Sequence, residues 1–334
     1  MATILVTGGA GYVGSHACKA LAAAGHTPVT YDNLIRGHDT AVKWGPLEVG
    51  DILDSERLSQ VIEKHDPDAV MHFAALALVS ESVENPELYL RNNVEGSRNL
   101  LDAMKSAGIR KLVFSSTCAI YGIPEEIPIP ESEPTKPISP YGESKLLVEN
   151  MLAERAASDG LSSFALRYFN AAGADPDCEI GEDHDPEPHL VPNVLAAAMD
   201  GSRLTVHGNT YPTKDGTCVR DYVHVNDLAA AHILALSALD ENAKTQFANL
   251  GTGSGFSVMQ VIKAAENVTG KTIHFDIGPA RLGDPPTLIA NGAYAREALG
   301  WEPKRSDLNT LIADAWRWTN HCLENGCVKL IWLA

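Results

Sequence analysis

The stretch LVTGGAGYVG, residues 5–14, places Gly8, Gly11 and Gly14 directly after a short apolar run and at the start of a helical pattern. Such glycines allow a tight turn, let the backbone approach a pyrophosphate and bring the helix close to the sheet. A glycine triplet alone is weak evidence, because surface turns also collect glycine. The next apolar run ends in Asp32, 24 residues beyond Gly8, where a carboxylate accepts hydrogen bonds from an adenosine ribose. Together these features predict a dinucleotide site that favours NAD over NADP.

Short apolar runs alternate with helical patterns over roughly the first half of the chain. The predicted strands are residues 3–8, 28–32, 47–51, 68–75, 111–117 and 163–170, and the predicted helices are residues 13–24, 55–64, 86–107 and 141–157. This rhythm predicts an α/β fold with a Rossmann-like, doubly wound parallel sheet. Beyond residue 170 it breaks at a segment rich in Asp, Glu, Gly and Pro. We therefore predict an NAD-binding domain at 1–171 and a smaller C-terminal α+β substrate domain at 172–334, with parts packing back on the sheet.

Composition excludes several classes of function. The 334 residues carry 26 Lys plus Arg against 43 Asp plus Glu, and the net charge of −17 opposes binding to nucleic acid or to an anionic membrane surface. The longest apolar stretch is shorter than the ~20 residues that span a bilayer, and the N-terminus has no basic region typical of a signal peptide. We therefore expect a cytoplasmic protein whose anionic ligands are held by local groups.

Cysteine and histidine show no familiar ligand spacing. The six cysteines are scattered, which favours reduced thiols over a disulfide framework or a zinc site. The twelve histidines contain no HExxH or similar motif. We therefore predict no metal.

The stretch SPYGESK, residues 139–145, places a phenol and an ammonium four positions apart. Ser139 is a suitable helix cap and Pro140 a suitable first residue, so Tyr141 and Lys145 should share one face of a helix. An ammonium ~6 Å away at an effective dielectric of ~20 favours the phenolate by about 2.8 kcal/mol, which would bring the pKa of the tyrosine to ~8. Such a tyrosine could act as a general base. The alternative is a solvated helix face with an exposed lysine.

The stretch FSST, residues 114–117, makes the catalytic interpretation the stronger one. It ends a predicted strand, and open α/β sheets bind ligands at the carboxyl ends of their strands. Thr117 could there bridge a substrate oxygen and Tyr141. Ser115 and Ser116 are either substitutes for it or backbone spacers.

Further motifs complete a family resemblance. They are TGGAGYVG (7–14), YDN (31–33), YxxxK (141–145), LRYFNAAGADP (166–176), DGTCVRDYVHVNDLA (215–229), NLGTG (249–253) and RLGDPP (281–286). From residue 3 to about 320 the chain resembles the extended short-chain dehydrogenase/reductase family, and its second-half motifs resemble the nucleotide-sugar members. The resemblance implies a tightly held NAD, a catalytic Tyr141, Lys145 bonded to the nicotinamide ribose, and Thr117 in the place of the family's Ser or Thr.

The same resemblance implies the other site residues. Those expected at the cofactor, besides the glycines, are Tyr12, Val13, Asp32, Asn33, Asp51, Ile52, Phe73, Ala74, Asn92, Ser115 and Tyr168. Those expected at a UDP-sugar, besides Thr117 and Tyr141, are Asn170, Leu190, Arg220, Tyr222, Arg281, Asp284 and Leu288. Arg220 and Arg281 match diphosphate-binding arginines, and Asp284 matches a ribose-binding carboxylate. From the residues alone, Arg220 beside Asp221 could instead be a surface ion pair of little energetic weight.

The implied activity is NAD-dependent 4-epimerisation of a UDP-hexose, such as the interconversion of UDP-galactose and UDP-glucose. Alternatives are a UDP-pentose or UDP-N-acetylhexosamine 4-epimerase, a sugar-nucleotide 4,6-dehydratase, and a non-catalytic NAD-binding protein. The dehydratase needs an Asp–Glu pair after Thr117, where this chain has Cys118 and Ala119. Two departures are Ala77, where some members have a Lys near the cofactor phosphates, and Leu288, where Tyr or Cys is common. The family also implies a homodimer through the helices at 86–107 and 141–157, whose apolar positions could equally be internal core.

Overall fold

A computed structural model describes residues 1–240, 242–281 and 283–325. The apolar tail at 327–334, including Cys327, lies outside the described residues. Within the parts that the structure describes, no helix combines the length and the apolar character needed to cross a membrane.

The strands form one large sheet and three small ones. In chain order they are β1 (Thr3–Thr7), β2 (Thr27–Asp32), β3 (Leu47–Val49), β4 (Ala69–His72), β5 (Lys111–Thr117), β6 (Ser162–Tyr168), β7 (Asn170–Ala172), β8 (Arg203–His207), β9 (Val219–Arg220), β10 (Tyr222–His224), β11 (Thr245–Leu250), β12 (Phe256–Ser257), β13 (His274–Gly278) and β14 (Thr287–Leu288). The large sheet has the order β11-β6-β5-β4-β1-β2-β3 and is parallel throughout. The chain direction of winding reverses between β1 and β4, which creates a crevice at the carboxyl ends of these strands.

Helices cover both faces of the large sheet and build most of the second half. They are α1 (Tyr12–Ala23), α2 (Ser55–His65), α3 (Val79–Glu84), α4 (Pro86–Tyr89), α5 (Gly96–Ala107), α6 (Pro140–Asp159), α7 (Leu190–Asp200), α8 (Val225–Ala238), α9 (Val258–Thr269), α10 (Ala293–Leu299) and α11 (Leu308–Asn325). A π-helical segment, Leu90–Glu95, joins α4 to α5, and short 3-10 turns span Asp39–Ala41 and Cys118–Tyr121.

The alternation of side chains along β1 explains the three layers. Ile4 and Val6 belong to a buried cluster with residues of α1 and α8, whereas Leu5 belongs to a second cluster with residues of α2, α5 and α6. Successive side chains of a strand point to opposite faces, so an apolar run without polar positions requires helices on both sides. The sequence of β1 therefore predicts a central, doubly covered strand, and the structure has it there.

Most predicted elements are present with small shifts in their ends. The predicted helix at 86–107 is interrupted by the π-helical segment, and the short helix α3 was not predicted. The sixth strand ends at Tyr168, so the placement of Asn170 at its end is wrong, and Asn170 instead begins β7. The seventh strand of the large sheet is β11, which comes from beyond residue 171 and pairs with β6.

The second half has a buried cluster of its own. Val194 of α7, Val261 of α9 and Leu311 of α11 pack together in it, and the small sheets β8/β13 and β9/β12/β14 lie in the same part of the chain. By contrast, β11 joins the large sheet, and Leu228 of α8 packs in the cluster that covers Ile4. The expected packing of later segments on the sheet is thus seen, while the division into two domains at residue 171 stays a prediction.

A buried ion pair fastens α6 to the sheet. Arg167 of β6 donates to both carboxylate oxygens of Glu149, at 2.9 Å and 2.6 Å, and the two side chains are only 6% and 2% exposed. Ser116 of β5 donates to the same carboxylate at 2.6 Å, and the remaining guanidinium nitrogen donates to Tyr121 at 2.9 Å. Because the pair is bidentate and further hydrogen-bonded, its loss leaves a charge without compensation in the interior.

We expect Glu149→Leu to lower the free energy of unfolding by about 3–5 kcal/mol, because Arg167 would stay buried without its partner. The double variant Glu149→Leu with Arg167→Met should recover part of that loss. Denaturant unfolding followed by circular dichroism measures both. Arg203→Met is the matched control, since Arg203 and Asp276 pair at the exposed surface, and it should leave the transition unchanged. A single Glu149 variant as stable as the control would contradict this role.

Candidate active site

A single large cavity lies at the carboxyl ends of the central strands. Its volume is about 1970 Å³. All the candidate residues from the sequence line it, namely Gly8, Gly11, Tyr12, Val13, Gly14, Asp32, Asn33, Asp51, Ile52, Phe73, Ala74, Asn92, Ser115, Thr117, Tyr141, Lys145, Tyr168, Asn170, Leu190, Arg220, Tyr222, Arg281, Asp284 and Leu288. Lining residues thus come from both the large sheet and the second half. The cavity is large enough to hold two extended ligands side by side.

The glycine loop forms a close backbone cradle at one end of this cavity. Gly8 has a φ of +73°, and a Cβ there would lie 2.5 Å from the backbone nitrogen of Ala74. A Cβ on Gly14 would lie 2.1 Å from the carbonyl oxygen of Gly8. Gly11 is the N-cap of α1 and has no side chain to occupy the helix start. The loop therefore needs glycine for its own packing and presents a bare helix N-terminus, which fits a pyrophosphate.

Asp32 connects two loops at the edge of the same cradle. Its carboxylate accepts hydrogen bonds from the backbone N–H of Ala10 at 3.0 Å and of Leu34 at 2.9 Å. The side chain is buried, and burial raises its pKa while the two backbone hydrogen bonds oppose that effect. Next to it, the side-chain amide of Asn33 donates to Asp51 at 3.0 Å. Asp32 thus has the turn-capping contact of an ordinary strand-end Asp and also borders the cavity.

The start of α6 carries the phenol and the ammonium. The Ser139 hydroxyl accepts a hydrogen bond from the backbone N–H of Gly142 at 3.2 Å, so Ser139 caps the helix as predicted, with Pro140 as its first residue. Lys145 is 3% exposed and donates from Nζ to the carbonyl oxygen of Ser115 at 2.8 Å. Its Nζ also lies 4.8 Å from the centre of the Phe114 ring. This lysine is buried, so the alternative of a solvated helix face is wrong.

The predicted pKa of Tyr141 is wrong for this structure. Burial raises the pKa of Tyr141 well above its ordinary value, and a hydrogen bond with Thr117 acts in the opposite direction without cancelling it. Burial also lowers the pKa of Lys145 to about 7, against the attraction of Glu149. The pairwise estimate counted the charge of the lysine but not the loss of water around both groups, and that loss is the larger effect here.

The two serines before Thr117 have separate environments. The Ser115 hydroxyl is hydrogen-bonded to the Tyr168 hydroxyl at 2.6 Å, and both residues line the cavity. The Ser116 hydroxyl donates to Glu149 in the buried ion pair. Ser116 is therefore a structural residue, whereas Ser115 and Tyr168 border the site with Thr117.

The opposite end of the cavity is built by β9, β10 and β14. Arg220 of β9 donates to Asp284 at 2.5 Å, and their side chains are 12% and 24% exposed. Asp221 is buried and accepts backbone N–H groups of Thr252, Gly253 and Ala290. The alternative of a surface ion pair between Arg220 and Asp221 is therefore wrong. Leu288 pairs with Arg220 across β14 and β9.

The remaining candidates border the cavity between its two ends. Asn92 lies on the π-helical segment and donates to Asn93 at 2.9 Å. The Phe73 ring packs against the ring of His232 with centroids 4.7 Å apart. Tyr222 is buried, and Leu190 is the first residue of α7.

Sequence reasoning missed two groups along the wall. Arg36 donates to Glu81 and to the carbonyl oxygen of Asp185, each at 2.9 Å, and so connects three segments beside the glycine loop. Two glutamates and two histidines of the segment 182–189 also line the cavity. Neither group has a signal in a single sequence, because their partners are far apart or lie in a segment that reads as a loop.

The fold and this site have many relatives of known identity. The model of the "NAD dependent epimerase/dehydratase family" matches residues 4–251. UDP-glucose 4-epimerase of Lacticaseibacillus casei is 51% identical over 323 residues, which is 96% of this chain and 97% of the relative. UDP-glucose 4-epimerase of Rhizobium meliloti (strain 1021) is 48% identical over 97% of this chain and 98% of its own length.

Solved structures agree with these sequences. The crystal structure of UDP-glucose 4-epimerase from Brucella ovis in complex with NAD has a TM-score of 0.92 and 49% identity, covering 95% of this chain and 98% of its own. That of Stenotrophomonas maltophila with bound NAD and formylated UDP-arabinopyranose has a TM-score of 0.93 and 40% identity, covering 97% and 100%. The glycine cradle, the capped helix start with its tyrosine and lysine, and these similarities lead to one conclusion: the chain belongs to the NAD-dependent epimerase/dehydratase family.

Proposed function

We propose that the chain is a UDP-hexose 4-epimerase that interconverts UDP-galactose and UDP-glucose with NAD as its resident cofactor. The observation that carries this proposal is the convergence of the glycine cradle, Tyr141 with Lys145 and Thr117, and Arg220 in one cavity of about 1970 Å³. The names of relatives about 50% identical over nearly the whole chain support the same activity.

The residues along the cavity suit the parts of NAD in order. The helix start at Gly11–Gly14 and the bare loop would hold the pyrophosphate, and Asp32 would accept from the adenosine ribose. The other expected contacts are Tyr12 and Val13 at the pyrophosphate, Asn33, Asp51 and Ile52 at the adenosine, and Phe73, Ala74, Asn92, Ser115, Lys145 and Tyr168 at the nicotinamide end. When bound, NAD accepts the hydride of sugar carbon 4 and returns it to the opposite face.

Tyr141 is the proposed general base and acid. It takes the proton of the sugar 4-hydroxyl and gives a proton back after the 4-keto sugar has turned over in the pocket. Thr117, hydrogen-bonded to Tyr141, would hold the substrate oxygen in line with the phenol. Lys145 would bond the nicotinamide ribose with an ammonium that also favours the phenolate. Because the buried phenol has a raised pKa, it keeps its proton until these charges assist its loss.

The second end of the cavity would hold the UDP group. Arg220 and Arg281 would neutralise the diphosphate, since a protein of net charge −17 must meet this anion with local cations. Asp284 would bind the uridine ribose, so its present bond to Arg220 orients both groups before the substrate arrives. Asn170, Leu190, Tyr222 and Leu288 complete the expected wall around the nucleotide and the sugar.

Other reactions have weaker support. A 4,6-dehydratase lacks its acid–base pair here, because Thr117 is followed by the 3-10 turn Cys118–Tyr121 with no carboxylate in it. A non-catalytic protein would not need Lys145 buried beside the cavity. Epimerisation of UDP-pentoses or UDP-N-acetylhexosamines depends on the space beside Leu288.

We propose a homodimer formed through α4, α6 and the π-helical segment between α4 and α5. Leu88 and Leu147 lie on this surface and are 47% and 38% exposed, which gives it apolar contact area. Sedimentation equilibrium decides between this dimer and a monomer. We also propose a cytoplasmic location, which suits the free thiols of Cys18, Cys118, Cys178 and Cys218; a cell fraction depleted of the chain would contradict it.

Purified protein incubated with UDP-galactose should form UDP-glucose without added NAD, as proton NMR would show. Denaturation should release about one NAD per chain, because a single fingerprint binds one dinucleotide and the reaction has no net redox change. Strict dependence on repeated NAD addition, or a 6-deoxy-4-keto product, would overturn the proposal.

Tyr141→Phe should lower turnover by about 10²–10⁴-fold or more, because it removes the general base and changes only one hydroxyl. The NAD content should stay near that of the wild type. Lys145→Met should also slow the reaction and move the rising limb of the pH–rate profile to higher pH, because an ammonium lowers the pKa of a nearby phenol. Near-normal turnover by Tyr141→Phe would show that another group is the base.

Leu288 should limit the space beside the sugar. A leucine wall can reject extra bulk but offers an acetamido group no hydrogen bond, so discrimination against UDP-N-acetylhexosamines of about 10–200-fold is expected. Leu288→Cys should narrow that ratio and Leu288→Tyr should widen it. The measurement is kcat/KM for hexose and N-acetylhexosamine substrates with all three proteins. An unchanged ratio would show that Leu288 does not contact the sugar.

A further inference from the structure

Four potential metal ligands meet in the segment between β7 and α7. They are Glu182, His184, Glu187 and His189, and one ligand atom from each lies within 4.8 Å of all the others. The side chains of Glu182 and Glu187 are only 7% and 2% exposed, and those of His184 and His189 are 25% and 39% exposed. The sequence analysis predicted no metal because the spacing ExHxxExH matches no familiar motif, but the fold of the segment brings all four residues together.

Two buried atoms of this cluster are unpartnered. Nδ1 of His184 and Oε2 of Glu187 lie 3.5 Å apart, and neither makes a hydrogen bond of acceptable geometry among the described residues. A buried polar atom without a partner is costly, and native proteins usually provide one, often a bound ion. The two atoms face the other two ligands of the same cluster, so one group placed among them would satisfy both.

The spacing of the ligand atoms is that of a small tetrahedral site. His189 Nδ1 lies 2.8 Å from Glu182 and 2.7 Å from Glu187, and His184 Nδ1 lies 3.3 Å from Glu182. With zinc–ligand distances of 2.0–2.2 Å, neighbouring atoms of a tetrahedron are roughly 3.4 Å apart. Shifts of a few tenths of an ångström would therefore turn the present contacts into the edges of one coordination sphere.

We propose that Glu182, His184, Glu187 and His189 form a binding site for one zinc-class divalent cation. Two imidazoles and two carboxylates are ligands that Zn²⁺ accepts, and four protein ligands are typical of a structural site. The charges also balance, since a divalent cation with neutral imidazoles compensates the two glutamates.

A second acidic cluster in the same segment shows what a filled site looks like. Asp175, Asp177 and Glu179 surround Nζ of Lys19, at 2.8 Å, 3.2 Å and 2.5 Å. An ammonium already compensates those carboxylates. In the described part of the chain, the ion-pair partners of Glu182 and Glu187 are only the two histidines of their own cluster.

Protons are the competitors of the metal. Burial alone would lower the pKa of both histidines, yet the two carboxylates raise the pKa of His184 to about 9 and of His189 to about 10. The other titratable groups near the cluster are Tyr12, whose ring lies 6.1 Å from that of His184, and Asp183, which pairs with His38. Metal binding must therefore release protons, and it should weaken as the pH falls.

The site would fix the cavity wall beside the glycine loop. Tyr12 begins α1 and packs edge-on against His184, while its hydroxyl donates to the carbonyl oxygen of Gly173 at 2.6 Å. A cation holding residues 182–189 would order the surface on which Tyr12 rests. Its role is structural, and the proposal does not depend on the epimerase activity.

The test uses the full chain with its cofactor, treated with a chelator and exchanged into metal-free buffer. Isothermal titration with Zn²⁺ alone should show one equivalent bound at micromolar or tighter affinity, weaker at pH 6 than at pH 8. Co²⁺ alone should give the intense visible bands of a four-coordinate site without a thiolate charge-transfer band. The melting temperature should rise with added Zn²⁺.

His184→Gln and Glu187→Gln should each weaken Zn²⁺ binding by 10-fold or more and remove the thermal shift. His38→Gln and Asp177→Asn are matched controls in or against the same segment and should bind as the wild type does. Circular dichroism checks that each variant is folded, and the wild-type titration remains decisive if one is not. Absence of saturable binding by the wild type, a thiolate band with Co²⁺, or unchanged affinity in His184→Gln would overturn the proposal.

Discussion

The bidentate pair between Glu149 and Arg167 is the constraint on which the geometry of the site depends. Glu149 lies one helical turn after Lys145, so the pair fixes the part of α6 that carries the phenol and the ammonium. Ser116 bonds the same carboxylate while the neighbouring carbonyl of Ser115 accepts from Lys145. One helix is thus held to β5 at two adjacent residues and to β6 through a full charge. The chemistry needs positions accurate to fractions of an ångström, and a rigid attachment of this kind supplies them.

The first half could be predicted because its signals are local. The apolar run of β1, the glycines that follow and the cap at Ser139 each act within a few residues of chain, so their patterns specify both the element and its ends. The seventh strand had no such signal. The segment Thr245–Leu250 becomes a sheet strand only because β6 offers it a free edge, and that edge exists only after the fold has formed. The π-helical segment, which presents Asn92 to the cavity, is likewise a product of packing.

The site could be predicted as a set of residues but not as a set of energies. All candidate residues border one cavity, since family motifs record which positions matter. The pKa of Tyr141 was misjudged because spacing along a helix gives the distance between charges and says nothing about the water that burial removes. The partner of Arg220 was misjudged for a related reason: Asp221 is adjacent in the chain, yet strand alternation points it the other way, and Asp284 arrives from 64 residues later.

The late origin of β11 has a consequence for how the chain is made. A ribosome releases residues in order, so β1 to β6 emerge long before residues 245–250 can cover the outer edge of β6. During that interval β6 presents unpaired backbone groups along an apolar strand, which is the feature that promotes pairing between nascent chains. The family match ends at residue 251, one residue beyond the strand that closes this edge. The smallest piece of the chain able to complete its own sheet therefore includes much of what the loop-rich second half contributes, and a fragment cut at residue 171 would keep its edge open.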